Sequence, residues 1–379
     1  MFYIDQITEP LLLQSYVILF SISLILCIVI IISSRYGSTR RAAIDEIAIQ
    51  SAHKGFIPRV GGVAIYFSIL GMIPLLTFGF IPLNVFFDLD ANEITLLIST
   101  AIPVFLIGTA EDFGYYMSPK SRLFASALSG LLVIVFFKVW ITKLGIMGLD
   151  SLLLIGPAGI IFTLFAAVGV VNAFNLIDGL NGLSSYISIS TAISLSIIAF
   201  EVHNPQISIF LVLLTTSILG FLMLNFPFGK IFLGDGGAYL LGHLLVWSSI
   251  LLINYEPSIS PFAILLIFFW PVADTGLAIW RRWKLGIPTD RPDRLHFHQL
   301  AMRFLEIRFF GRDKRNFANP LATMILIPLI STPQVFGVLF WSDFTSTVWI
   351  TLCISVLFIA TYLLGINLAK KSRILLPNK

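Results

Sequence analysis

The sequence predicts an all-α polytopic membrane protein, and three observations predict it. Hydrophobic residues make up 57% of the 379 residues and charged residues only 12%, where a soluble globular domain carries roughly 25% charged residues. Apolar runs of about 20 residues, each long enough for a ~30 Å hydrocarbon core, recur along nearly the whole chain. Those runs are continuous rather than alternating, which fits helices and not a barrel, the two structures that satisfy their backbone groups in lipid.

The runs place about eleven transmembrane helices at 11–33, 60–80, 94–110, 123–142, 153–171, 183–200, 207–224, 238–254, 260–280, 321–341 and 345–369. The first follows Asp5 and Glu9 without a basic leader or small-residue cleavage site, so a retained helix is expected and not a signal peptide. Cys27 and Cys353 both fall inside apolar runs, so neither a disulfide nor a metal-binding Cys pair is expected. Between the ninth and tenth spans lies a long basic loop, 281–320, and the whole chain, 1–379, reads as one membrane domain.

Charge orients the bundle. With eleven spans, one side receives Arg35, Arg40, Arg41, Lys54, Arg59, Lys120, Arg122 and Lys230, the ten basic residues of 281–320 and the four of the tail. That is 22 of the 24 basic residues, and only Lys138 and Lys143 fall opposite. The positive-inside rule makes the basic side the cytoplasm, the N-terminus outside and the C-terminus inside.

Polar residues beside lipid tend to mark function, and five clusters fall at the basic ends of spans. They are His53–Gly62; Glu111-Asp112 with Lys120 and Arg122; Asn172-Ala-Phe-Asn175-Leu-Ile-Asp178-Gly-Leu-Asn181-Gly182; Asn225-Phe-Pro-Phe-Gly-Lys230-Ile-Phe232-Leu-Gly-Asp235-Gly-Gly; and Asp290-Arg-Pro-Asp293-Arg294-Leu-His296-Phe-His298-Gln299. Asn172, Asn175 and Asp178 recur every third residue, which keeps them near one face if the helix continues that far. Clustered carboxylates and amides suit a hard cation such as Mg²⁺ that bridges substrate phosphates. Arg294, His296 and His298 supply donors for phosphate oxygens. Carboxylates for a metal and a basic arm for phosphates are the equipment of phosphoryl transfer.

Each cluster has a plainer use. Asp112 suits a helix cap or an ion pair with Lys120 or Arg122, the Asn172–Asn181 run suits interhelical hydrogen bonding, and Asp235 among glycines suits a tight turn. The 281–315 stretch suits an anchor on anionic lipid. The glycines match neither a Walker nor a dinucleotide-binding pattern, and His296 with His298 lacks partners for a zinc site. A transporter of a lipid-linked glycan would hold its polar groups near the midplane, in repeated halves; here they collect at one face.

Over residues 50–300 the order of the clusters resembles the polyprenyl-phosphate N-acetylhexosamine-1-phosphate transferase superfamily, an eleven-span group. Asn172-Ala-Phe-Asn175-Leu-Ile-Asp178-Gly is similar to its Asn-x-x-Asn-x-x-Asp-Gly signature, Phe232-Leu-Gly-Asp235-Gly-Gly to Phe-Met-Gly-Asp-x-Gly, and Arg294-Leu-His296-Phe-His298 to an Arg-x-His-x-His loop. The contiguous histidine triplet of the peptidoglycan branch, which handles phospho-MurNAc-pentapeptide, is absent. Three positions depart from the pattern: Glu111 in an Asp-Asp pair, Asn181 where an aspartate is usual, and Gln299 in place of a third histidine.

The resemblance implies a Mg²⁺-dependent (or Mn²⁺-dependent) enzyme of the bacterial inner membrane with its site on the cytoplasmic face. It implies undecaprenyl phosphate and a UDP-N-acetylhexosamine, by default UDP-GlcNAc, as substrates, membrane lipids around it, no nucleic-acid partner, and a homodimer. The product would initiate an O-antigen, common-antigen or teichoic-acid type polysaccharide. Asp235 and Asp178 are the implied metal ligands. Asp112 and Glu111 join them as catalytic carboxylates, Asp112 facing the lipid phosphate as base or positioning charge. Asn172, Asn175, Asn181, Asn225, Phe232, Lys120, Arg122, Arg294, His296 and His298 are the implied substrate contacts, with Phe232 stacking on the uracil.

Overall fold

The computed structural model describes residues 2–36, 57–78, 91–286, 295–311 and 314–374. All regular structure among them is helical: α1 Phe2–Tyr36, α2 Gly61–Leu70, α3 Met72–Thr77, α4 Ala91–Thr100, α5 Ile102–Asp112, α6 Pro119–Phe137, α7 Leu149–Leu153, α8 Gly156–Leu176, α9 Leu183–Glu201, α10 Pro205–Asn225, α11 Gly234–Tyr255, α12 Pro261–Ile267, α13 Phe269–Leu285, α14 Phe297–Leu305, α15 Arg315–Leu339 and α16 Phe344–Ile374.

Each of the expected spans is occupied by helix, but not all by one straight helix. Among the described residues, eight helices are long and apolar enough to cross a membrane. The expected span at 94–110 is α4 and α5, bent by 42° at Ala101, and that at 260–280 is α12 and α13, bent by 81° at Phe268. The expected span at 60–80 is the shorter apolar helix Gly61–Thr77, interrupted at Gly71.

Local chemistry explains the ends and breaks. Ser118 caps α6 by accepting from the Ser121 N–H at 3.1 Å, with Pro119 next, and Asn204 caps α10 by accepting from the Ile207 N–H at 3.1 Å, with Pro205 next; proline suits a first helical position because its missing N–H has no intrahelical partner there. Within α13, Pro271 has no N–H for the Ile267 carbonyl four residues back. The Gln334 side chain of α15 donates to that carbonyl instead, at 3.2 Å. A buried amide from a neighbouring helix thus satisfies the bend.

The core is α11, with 89% of its apolar stretch buried, against 17% for α16 and 22% for α1. Helices α2, α5, α8 and α9 pack around it. Small residues bring backbones together, as is usual between membrane helices: a Cβ added at Gly62 of α2 would overlap the Gly237 backbone of α11. Ser68 of α2 donates to the Leu19 carbonyl of α1 at 2.6 Å and lies 3.0 Å from Ser217 Oγ of α10.

The expected loop 281–320 is largely structured. α13 runs on to Leu285, α14 spans Phe297–Leu305 with a π-helical turn Glu306–Phe310 after it, and α15 begins at Arg315. α14 lies against α15 and α16, with His298, Met302 and Leu305 buried, the spacing of one helical face.

Candidate active site at one end of the central helix

Everything in the site is organised around the first turn of α11. Its entry pairs with the lead-in to α2: Phe232 N–H donates to the Pro58 carbonyl at 2.9 Å, and the N–H groups of Gly61 and Gly62 donate to the carbonyls of Phe232 and Leu233 at 2.9 and 2.7 Å. This joins two of the five polar clusters through backbone alone. Gly234 follows with φ +78°, and a Cβ there would overlap the Arg59 carbonyl and the Asp112 carboxylate, so only glycine fits.

Asp112, the last residue of α5, sits at that opening. Its Oδ1 accepts from the Asp235 N–H at 2.7 Å and its Oδ2 from the Gly236 N–H at 2.9 Å. Both oxygens therefore cap α11, where backbone N–H groups lack helical partners and negative charge is favoured. The Asp235 carboxylate projects from this capped turn and accepts from Asn175 Nδ2 at 2.9 Å.

Glu111 lies beside Asp235 and 3.5 Å from the Arg122 guanidinium, which also meets the Tyr239 hydroxyl. Glu111 Oε2 is buried with no hydrogen-bond partner among the described residues. A carboxylate oxygen without a donor, next to a second carboxylate, is what a cation would satisfy. Among the described residues no three His, Cys, Asp or Glu side chains are grouped closely enough to enclose a metal ion. The donor set fits Mg²⁺, which takes one or two carboxylates and fills the rest of its shell with water and substrate phosphates.

Asp178 is not on the helix with Asn172 and Asn175, as the three-residue spacing suggested: α8 ends at Leu176 and Asp178 lies in the turn before α9. Burial pushes its carboxyl up to about 7, Arg59 opposing and Asp235 adding to the rise. Arg59 also acts on Glu111 and Asp112. Asn172 turns away, its amide donating to the Val168 carbonyl of its own helix at 2.8 Å.

Asn181 and Asn225 build the frame. Asn225 accepts from the Gly182 N–H at 2.6 Å and donates to the Ile231 carbonyl at 2.8 Å. Asn181 is buried; its amide donates to the Pro227 carbonyl at 3.1 Å and its backbone N–H to Asn319 Oδ1 at 2.8 Å. An aspartate at 181 has no donor for Pro227, which gives the departure at this position a structural reason. Lys120 is exposed and Phe232 half-buried, while Arg294 lies outside the described residues.

The histidines are held by a residue that the motif reading passed over. Asp274 of α13, 2% exposed, receives His296 Nδ1 at 3.1 Å and the Phe297 N–H at 3.0 Å, with His298 Nδ1 at 3.6 Å. Its signal was an ionisable residue inside an apolar run. Arg59 and Tyr239 were also missed, the first lying in a cluster read only as a lead-in. A Cβ on Gly179 would overlap His298 Nε2, so the histidine arm lies against the Asp178 turn.

A cavity of about 620 Å³ lies elsewhere, lined by Glu93, Leu97, Phe137, His203, Asn254 and Tyr255 among others. Tyr255 ends α11, about 30 Å from Asp235 at 1.5 Å per residue, so this cavity is remote from the carboxylates.

The chain matches the family described as glycosyl transferase family 4 over residues 94–253, the stretch that holds Glu111, Asp112, Asn175, Asp178 and Asp235. It is 30% identical over 267 residues to the undecaprenyl-phosphate alpha-N-acetylglucosaminyl 1-phosphate transferase of Escherichia coli (strain K12), 69% of each chain. Proteins of the same name from Salmonella typhi, 28% identical with 73% of each chain covered, and Yersinia pestis, 26% identical with 76% of this chain and 75% of the relative covered, are also similar.

Proposed function

The chain belongs to glycosyl transferase family 4, and from that premise we propose that it transfers N-acetylglucosamine 1-phosphate from UDP-N-acetylglucosamine to undecaprenyl phosphate on the cytoplasmic side of the membrane. A phosphate oxygen of the acceptor bonds to the β-phosphorus of the donor. The bond from that phosphorus to the bridging oxygen breaks, and UMP leaves with the electron pair. The lipid-linked diphosphosugar starts a cell-surface polysaccharide.

The observation that carries this reading is the convergence of Glu111, Asp112, Asp178 and Asp235, with Asn175 and Arg59, on one end of α11. Phosphoryl transfer asks a protein mainly for positioning and charge stabilisation. Asp235 and Asp178 would hold Mg²⁺, with Glu111 beside Asp235 and Asn175 orienting it. Bound Mg²⁺ supplies the positive charge that the diphosphate oxygens need as the bond breaks. A phosphate monoester with a second pKa of about 6 is largely ionised at neutral pH, so no strong base is needed. Asp112 acts by fixing the first turn of α11 rather than by taking a proton.

Arg59, Arg122 and the histidine arm would bind the donor's phosphates and sugar, and Phe232 its uracil; Arg294 is assigned to the same task from its motif alone. The cytoplasmic assignment rests on charge: Arg59, Lys120, Arg122, Lys230 and Arg281 flank this end of the bundle, whereas Lys138 follows the opposite end of α6. The test is UMP release by purified protein in detergent from undecaprenyl phosphate and a panel of UDP-sugars, with and without EDTA. Metal-dependent release with UDP-N-acetylglucosamine preferred is expected. Release that survives EDTA, or none from any donor by folded protein, overturns the reading.

A further inference from the structure

We propose that Asp274 is a positioning residue for this transfer: its carboxylate holds His296 with its proton on Nδ1, binds the Phe297 N–H, and so seats the histidine arm on the Asp178 turn. The inference rests on the functional reading above for its consequence, but on geometry for its content.

Three consecutive residues of the arm converge on one carboxylate. His296 Nδ1 lies 3.1 Å from Oδ2, the Phe297 N–H 3.0 Å from Oδ1 and His298 Nδ1 3.6 Å from Oδ2. Asp274 is only 2% exposed, so these donors and not water must satisfy its charge. An ionised carboxylate only accepts hydrogen bonds, which requires His296 Nδ1 to carry its proton, while His298 Nδ1 at 3.6 Å lies beyond hydrogen-bond reach. The two rings stack with centroids 5.6 Å apart at 16°, an arrangement that a shared partner on one side enforces.

Fixing the proton on Nδ1 leaves Nε2 of a neutral ring bare. In His298, which is fully buried, burial pulls the pKa down against the pull of Asp274, favouring the neutral ring. Neither of its ring nitrogens has a hydrogen-bond partner among the described residues, and Nε2 lies over Gly179, next to Asp178. Contacts therefore run from Asp274 of α13, through His296 and His298, to the turn that presents Asp178. Carboxylates placed behind an imidazole orient the ring and set which nitrogen is free.

The direct test is ¹⁵N NMR of histidine-labelled full-length protein, with His296 and His298 assigned through His296→Gln and His298→Gln. Wild-type protein is expected to show a protonated Nδ1 at His296. A wild-type Nε2–H tautomer at His296 overturns the proposal, whether or not any variant folds. In the UMP-release assay, Asp274→Asn is expected to lower kcat about 10- to 100-fold, the usual range for losing such a partner, while KM for the donor changes far less. Because Asp274 acts through the histidines, Asp274→Asn combined with His298→Gln should fall within about twofold of the worse single variant. Multiplying losses overturn the proposal. A wild-type chain that releases no UMP overturns the transfer reading instead, and the NMR arm still decides the tautomer.

Discussion

Replacing Asp112 with asparagine separates two roles for this residue. In the wild type both of its oxygens accept backbone N–H groups, at 2.7 Å from Asp235 and 2.9 Å from Gly236. Asparagine offers one oxygen, and its NH₂ opposes the second N–H. Hydrogen bonds to a charged group contribute about 1.5–3 kcal/mol each, so the substitution costs at least one such bond and leaves one N–H unpaired. The turn that loses its cap is the one that carries Asp235. If only about 1.4 kcal/mol of the loss is felt there, metal affinity falls about tenfold. Titration with Mn²⁺, followed by electron paramagnetic resonance in detergent, measures it directly. The prediction is a tenfold or greater loss of Mn²⁺ affinity in parallel with lost UMP release. Unchanged Mn²⁺ affinity with abolished turnover refutes the reasoning, because Asp112 then acts on the acceptor phosphate and not through α11.

Gly234→Ala forces a Cβ into the Arg59 carbonyl at φ +78°, a strain of order 1–3 kcal/mol; UMP release should be abolished while the helical circular dichroism signal is retained, and an active variant contradicts the geometry. Gln334→Leu strips the Ile267 carbonyl of its donor, and leaving a buried acceptor unpaired costs about 1–3 kcal/mol; the thermal midpoint in detergent should fall, and an unchanged midpoint argues against this support for the bend. For Asp178, a carboxyl raised from 3.8 to about 7 means that the folded, metal-free protein keeps a proton which the unfolded chain releases near its ordinary value. Stability in EDTA should therefore fall as pH rises from about 4 to about 7 and level off above. Thermal midpoints across that range should be visibly flatter in Asp178→Asn, and identical slopes sink the assignment.

The spans were legible because run length and composition decide them without reference to partners. The breaks were less so. Pro271 carried a signal for the 81° bend, but a proline inside an apolar run is compatible with a mild kink or a sharp turn until Gln334 is seen to satisfy the freed carbonyl. Asn172, Asn175 and Asp178 share a face only if the helix continues that far, and it does not: α8 ends at Leu176 and Asp178 lies in the turn that Gly179 follows. A helix cap was among the readings of Asp112, but the helix it caps was not legible, since its partners are backbone N–H groups 123 and 124 residues away. Asp274 was overlooked for a related reason: its meaning comes from His296, 22 residues on, and the polar clusters drew attention to span ends. Helix α14 had its apolar spacing in plain view at His298, Met302 and Leu305, within a stretch whose basic charge suggested only a loop.

The central claim is that a sugar phosphate, and not a sugar, is transferred, and the fate of the donor's β-phosphorus tests it most directly. Purified protein in lipid nanodiscs would be given undecaprenyl phosphate, Mg²⁺ and UDP-N-acetylglucosamine labelled with ³²P at the β-phosphate. The account predicts that the label moves into the organic phase with the lipid, that unlabelled UMP appears in equal amount, and that Asp235→Ala stops both. Label retained in water as UDP beside a glycosylated lipid would contradict it, because the bond broken would then lie between sugar and phosphate.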